Sequence, residues 1–188
     1  MPIGQAKFGL LGGVADLGKL ELIETKTISG VSSAIFTSIQ ESTYNVHFLT
    51  INDFQPSTDG TDCRIRFFEN GVEESASVYQ FALQYGFVTG LGFGESETTS
   101  IDRLRATVNV GNATNETGQS YCYFYNLGNS SKYSFQTMHT TLIHNTSGYG
   151  FTFGGGVLPQ ASTVDQIKLF VDSGTFSCTA SLYGIAES

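Results

Sequence analysis

TVDQIKLFVDSGTFSCTASLYGI, residues 163–185, holds two runs of alternating apolar and polar residues on either side of Asp172-Ser173-Gly174. Sustained alternation marks a half-buried strand, because successive side chains point to opposite faces. On the second arm Phe176, Cys178, Ala180 and Leu182 share one face, while Thr175, Ser177, Thr179, Ser181 and Tyr183 share the other. On the first arm Ile167, Leu169 and Val171 fall together. Two such runs joined through a Gly-containing turn predict a β-hairpin, with one face in a core and the other toward water. The second arm is expected to close a sheet begun much earlier, flanked by a strand from near the N-terminus.

The same texture runs through most of the chain. YNVHFLTI, residues 44–51, places Tyr44, Val46 and Phe48 on one face and His47, Leu49 and Ile51 on the other, which predicts a central strand covered on both sides. NDFQPSTDGTD, residues 52–62, is dense in turn formers and reads as a surface loop. Alternation resumes at residues 63–68 with Arg64 and Arg66 outward, and Asn70-Gly71 marks another turn. VYQFALQYGF, residues 78–87, has Tyr79 and Leu83 at helical spacing, but its alternation and aromatic content predict a strand. GLGFG, residues 90–94, is a phosphate-binding loop only between a strand and a helix. The following ESETTS has no apolar helical stripe, so the segment is read as a loop.

Further strands are predicted at residues 20–24, 33–39, 104–110, 120–127, 133–143 and 149–153, separated by turn-rich stretches such as GNATNETG, GNSS and HNTSG. About ten strands at short spacing, without a break in composition, predict one all-β domain over residues 19–188, an antiparallel β-sandwich or jelly roll. A chain of 188 residues buries roughly 70% of its unfolded surface, enough for a core without disulfide or metal. Residues 1–18 have no sustained period and read as a Gly-rich apolar arm. Its Phe8, Leu10, Leu11, Val14 and Leu17 become ordered only against another surface, either the domain's own sheet or a partner, and are the candidate partner-binding residues.

Nine Lys and Arg against seventeen Asp and Glu leave a net charge of −8, which argues against nucleic acid as a partner. No apolar run approaches the ~20 residues of a membrane span, and residues 1–18 lack the pattern of a secretion signal. A soluble protein made in a cytosol is expected. Cys63, Cys122 and Cys178, unpatterned in spacing, are read as free buried thiols. The four Asn-x-Ser/Thr sites at Asn112, Asn115, Asn129 and Asn145 are read as polar turns.

Catalytic chemistry finds little purchase. His47, His139 and His144 stand in no metal-ligand spacing, and no G-x-S-x-G elbow occurs. Glu73-Glu74 and Glu95 with Glu97 are the carboxylate pairs that glycoside hydrolysis could use, and Asp59 and Asp62 stand in a turn without the EF-hand spacing. No catalytic residue, metal or cofactor is assigned. The weight falls on binding or assembly.

LELIETKT from Leu20, SAIFTS from Ser33, YNVHFLTINDFQPSTDGTD from Tyr44, and the closing IKLFVDSGTF and LYGI together resemble small β-rich structural proteins of tailed bacteriophages, especially marine and cyanobacterial ones. The resemblance covers most of residues 19–185 and rests on framework residues. It implies a trimeric, non-enzymatic virion component made in the bacterial host cytoplasm and carried on the particle surface. One placement is a capsid decoration, or cement, protein whose arm grips the major capsid protein. The other is a tail fibre or receptor-binding protein presenting residues 56–60 and 111–118 to the host. Decoration is the first expectation, because one domain with a short arm brings no shaft; a carbohydrate-active depolymerase comes third.

Overall fold

The computed structural model describes residues 19–90 and 93–186. Their regular structure is all strand: β1 (Leu20–Val31), β2 (Ser33–Phe36), β3 (Val46–Pro56), β4 (Arg64–Glu69), β5 (Val72–Glu73), β6 (Tyr79–Phe87), β7 (Phe93–Ile101), β8 (Leu104–Arg105), β9 (Gly118–Tyr125), β10 (Ser134–His144), β11 (Gly148–Leu158), β12 (Val164–Phe170) and β13 (Phe176–Ile185). Ten of these thirteen have six residues or more; β2, β5 and β8 are the short ones. Pairing is antiparallel throughout. It builds an eight-stranded sheet in the order β1-β13-β3-β9-β10-β11-β6-β7 and a smaller sheet β2-β12-β4-β5, with β8 also on β4.

The two sheets share one hydrophobic core. Ile65, Phe67, Ile167 and Leu169 of the small sheet and Leu49, Ile51, Phe124 and Leu182 of the large one are fully buried together. Phe67 meets Phe124 edge-on across the layers, ring centroids 5.7 Å apart. Hydrogen bonds add a polar tether, since Ser120 Oγ donates to the Ala106 carbonyl at 2.8 Å and Gln136 Nε2 to the Arg105 carbonyl at 2.9 Å. The stretch after β8 is thereby held to the large sheet.

Residues 163–185 are not a hairpin. β12 lies in the small sheet between β2 and β4, whereas β13 lies in the large one between β1 and β3. The Asp172-Ser173-Gly174 turn, with Gly174 at φ 70°, carries the chain from one layer to the other. Its neighbours bond outward: the Val171 N–H donates to the Ser32 carbonyl, and the Ser57 N–H to the Thr175 carbonyl at 2.8 Å. The predicted apolar faces are nevertheless the buried ones, because an arch turns Ile167 and Leu169 toward Phe176 and Leu182 across the core instead of alongside them. The expected flanking strand near the N-terminus is β1, paired with β13.

Other boundaries move for physical reasons. Residues 52–56, read as loop, continue β3 through a bulge at Asp53 (φ 55°), and Phe54 is buried against Phe176. β3 is central as expected, yet only its His47, Leu49 and Ile51 face is buried, with Val46 and Phe48 half-covered. Residues 78–87 form a strand, as predicted. The ESETTS segment is not loop but part of β7, which pairs with β6 at the sheet's edge and buries neither face. Of residues 104–110 only β8 is strand. Asn70-Gly71 is the expected tight turn, both residues at positive φ, and closes β4 on β5.

Arg64 and Arg66 point outward on the small sheet, as predicted, but not into open water. With Arg103, Arg105 and Lys168 they make five of the nine Lys and Arg residues, and they are ion-paired with Asp62, Glu73, Asp102 and Asp172. The Arg66 guanidinium lies 4.5 Å from the Phe170 ring centroid, covering it.

Candidate binding face

The outer face of the large sheet has a different chemistry. In β9 (GQSYCYFY) the inward positions Ser120, Cys122 and Phe124 are buried, so Tyr121, Tyr123 and Tyr125 project outward. β11 does the same with Phe151 and Phe153 on either side of inward Thr152, and β10 with Phe135, Thr137 and His139. Phe48 from β3 and Tyr183 from β13 join them. Phe48 sits 4.7 Å from Tyr123, 6.0 Å from Tyr121 and 6.1 Å from Tyr183 by ring centroids. The result is a continuous aromatic surface on which Tyr121, Phe135 and Phe153 keep 42–44% of their area exposed.

This surface is furrowed. A groove of about 630 Å³ has Tyr121, Tyr123 and Tyr125 along one wall and Phe153 along the other. Thr137 and His139 of β10, together with Gly154 of β11, which carries no side chain, lie between the two walls. Beyond Phe153 a second hollow of about 410 Å³ is bordered by Gln84, Glu95 and Glu97. Beyond Tyr121, on the opposite side, a smaller one of about 200 Å³ carries Thr50, Asn52 and Gln119. Tyr121 and Phe153 are therefore ridges between three hollows. No outward strand position of this face, among the described residues, is Lys or Arg.

The residues singled out from sequence scatter. Phe8, Leu10, Leu11, Val14 and Leu17 lie outside the described residues. His47 and His139 point to opposite faces of the large sheet: His47 is buried, with Nε2 2.8 Å from the Ile39 carbonyl oxygen, and burial holds its pKa below the usual value. His139 reaches Tyr121, Nδ1 to hydroxyl 3.2 Å. His144 packs on Phe87 at 4.4 Å, beside a hollow of about 350 Å³ that includes Arg105 and Asn109. Among the described residues no group of three or more His, Cys, Asp or Glu is placed to hold a metal ion.

The carboxylates are mostly committed. Glu73 binds Arg66 and Lys168, and these charges hold its carboxyl below the ordinary range against the opposing pull of burial. Glu74 accepts the Ala76 N–H at 2.8 Å. Asp62 accepts the Asn109 N–H and Asp59 the Asn112 N–H, which knots together the two loops expected to face a host. Glu95 and Glu97 remain exposed, side by side on one strand instead of facing each other. Sequence reasoning missed the aromatic face. Its signal was present in YCYFY and FTFGGG, but alternation does not say which half of such a strand is outward.

No family model matches the chain, and no curated protein matches it.

Proposed function

We propose that the protein is a non-enzymatic structural component of a bacteriophage particle. It is a β-sandwich made of the two sheets, fixed to the major capsid protein of the head as a trimeric decoration protein through residues 1–18. The observation that carries the binding role is the furrowed aromatic outer face: rings exposed on a rigid eight-stranded sheet form a contact surface at little conformational cost. The titratable groups support the non-catalytic part, since Glu73, Asp62 and Asp102 neutralise arginines. Glu95 and Glu97 leave one strand in the same direction, which does not suit two carboxyls acting from opposite sides of a glycosidic bond. The phage setting rests on the framework resemblance. A tail receptor-binding role is the second reading, favoured by the groove between Tyr121 and Phe153.

Quantitative mass spectrometry of purified particles tests this. A copy number on the scale of the shell's subunits is the expected result; a few copies per particle would move the protein to the tail. Its absence from washed particles would overturn the virion reading.

A further inference from the structure

The strand register aligns one outward residue from each of six neighbouring strands. Thr50 of β3 stands opposite Tyr121 of β9, which stands opposite His139 of β10, then Phe153 of β11, Gln84 of β6 and Glu95 of β7. From one end the row reads hydroxyl, ring, imidazole, ring, amide, carboxylate, so each of its two rings has a hydrogen-bonding group on either side. Five inter-strand steps of about 4.8 Å make it roughly 24 Å long. It crosses all three hollows, with Tyr121 and Phe153 as the ridges between them.

Such a row asks for a ligand with apolar patches flanked by hydroxyl groups. A sugar ring has both, a face of C–H groups that stacks on an aromatic ring and a rim of hydroxyls that donate to carboxylate or amide oxygens and accept from N–H groups. Charge narrows the class. The row holds Glu95, with Glu97 next to it on the same face, and among the described residues no outward strand position on this face is Lys or Arg. Phosphorylated or uronic sugars and acidic peptides would be repelled. A second copy of the chain fits poorly, because docking this face on itself would strip water from His139, Gln84 and Glu95 without supplying complementary charge.

We propose that this row is a binding site for a neutral oligosaccharide, lying across the strands with sugar faces on Tyr121 and Phe153 and hydroxyls bonded to His139, Gln84 and Glu95. The assignment rests on the reading of this face as the contact surface and adds the chemistry of what it contacts.

The test is titration of the full-length chain with neutral hexasaccharides of glucose, mannose and N-acetylglucosamine, with polygalacturonate as the acidic comparison. Binding is followed by calorimetry and by tyrosine fluorescence, which no Trp obscures in this chain. At least one neutral hexasaccharide should bind and perturb tyrosine emission, and polygalacturonate should not. Tyr121→Ser and Phe153→Ser, both at half-exposed rings, should each weaken binding by about tenfold or more while leaving the strand signature in circular dichroism and a cooperative melt. Val72→Ser, at an exposed apolar side chain on β5 of the small sheet, should bind as the parent does. The proposal is overturned if no neutral hexasaccharide binds, if polygalacturonate binds more tightly, or if Val72→Ser weakens binding as much as the row variants. It is equally overturned if sedimentation shows self-association that Tyr121→Ser relieves, which would assign the face to a second copy. All of these use the isolated chain, so their failure leaves the copy number per particle to decide the virion reading separately.

Discussion

Replacing Phe176 by Ala removes a ring at the point where the chain has just crossed from the small sheet to the large one. The side chain is 1% exposed and packs on Phe54 with centroids 5.5 Å apart. A buried Phe covers about 150–250 Å², worth roughly 4–6 kcal/mol at ~25 cal/mol per Å². Alanine keeps the Cβ and the neighbours relax in part, which puts the expected loss at about 3–5 kcal/mol. Against a total stability of about 5–15 kcal/mol this is a large fraction. At about 2–4 °C per kcal/mol for a domain of this size, the melting temperature should fall by about 6–20 °C. Calorimetric or dichroism melts measure it, with Thr179→Ala, on an exposed position of the same strand, expected within about 0.5 kcal/mol of the parent. The cycle with Phe54→Ala should show a coupling of about 0.5–1.5 kcal/mol for the ring pair. The reasoning fails if Phe176→Ala melts with Thr179→Ala, or if the Phe54 and Phe176 losses are simply additive.

Ser181 lies on the outward side of β13 yet is only 8% exposed, and it shares a 2.9 Å hydrogen bond with Thr25, so Ser181→Asp should lower the melting temperature by several degrees while Thr179→Asp should not; equal melts would refute this. Burial depresses the pKa of His47 below its unfolded value, so the unfolded chain binds more protons between the two values. Its contribution is complete above about pH 6.5 and is lost as pH falls through the folded pKa. His144 acts in the same direction. Melts between about pH 5 and 8 should show stability falling on acidification, less steeply in His47→Gln; a parallel slope in the variant would remove His47 as the cause. Burial also pushes the thiols of Cys122 and Cys178 up to about 12 and that of Cys63 well above its ordinary value. A disulfide-exchange reagent at mild alkaline pH should leave all three untouched in the folded protein and titrate three in denaturant, whereas a fast-reacting thiol in the native state would contradict their burial.

How much was legible depended on the kind of interaction. Strand character follows from alternation, which is local, and it was readable at residues 78–87 despite the helical spacing of Tyr79 and Leu83. It was unreadable at ESETTS, where an edge strand with one exposed and one half-covered polar face leaves no apolar alternation to see. The end of β3 was hidden for another reason: Pro56 and the bulge at Asp53 look like turn chemistry until Phe54 finds Phe176. Of the candidate site, the individual rings of YCYFY and FTF were visible, but their joint surface was not, since β9, β10 and β11 are brought side by side only by pairing.

The sequence by itself determined that this chain is all-β and which faces of its strands are apolar, because a strand's two-residue period writes burial directly into residue order. Phe176, Cys178, Ala180 and Leu182 are buried whatever their strand pairs with. Tertiary structure alone decided the partners. Alternation is the same for two arms that hydrogen-bond to each other and for two arms that face each other across a core, so 163–185 could be a hairpin or an arch. The choice was made by β1 and β3 on β13 and by β2 and β4 on β12, segments distant in sequence. The row from Thr50 to Glu95 has the same origin: it runs perpendicular to the chain, and only register, set by contacts between strands, puts those six residues in line.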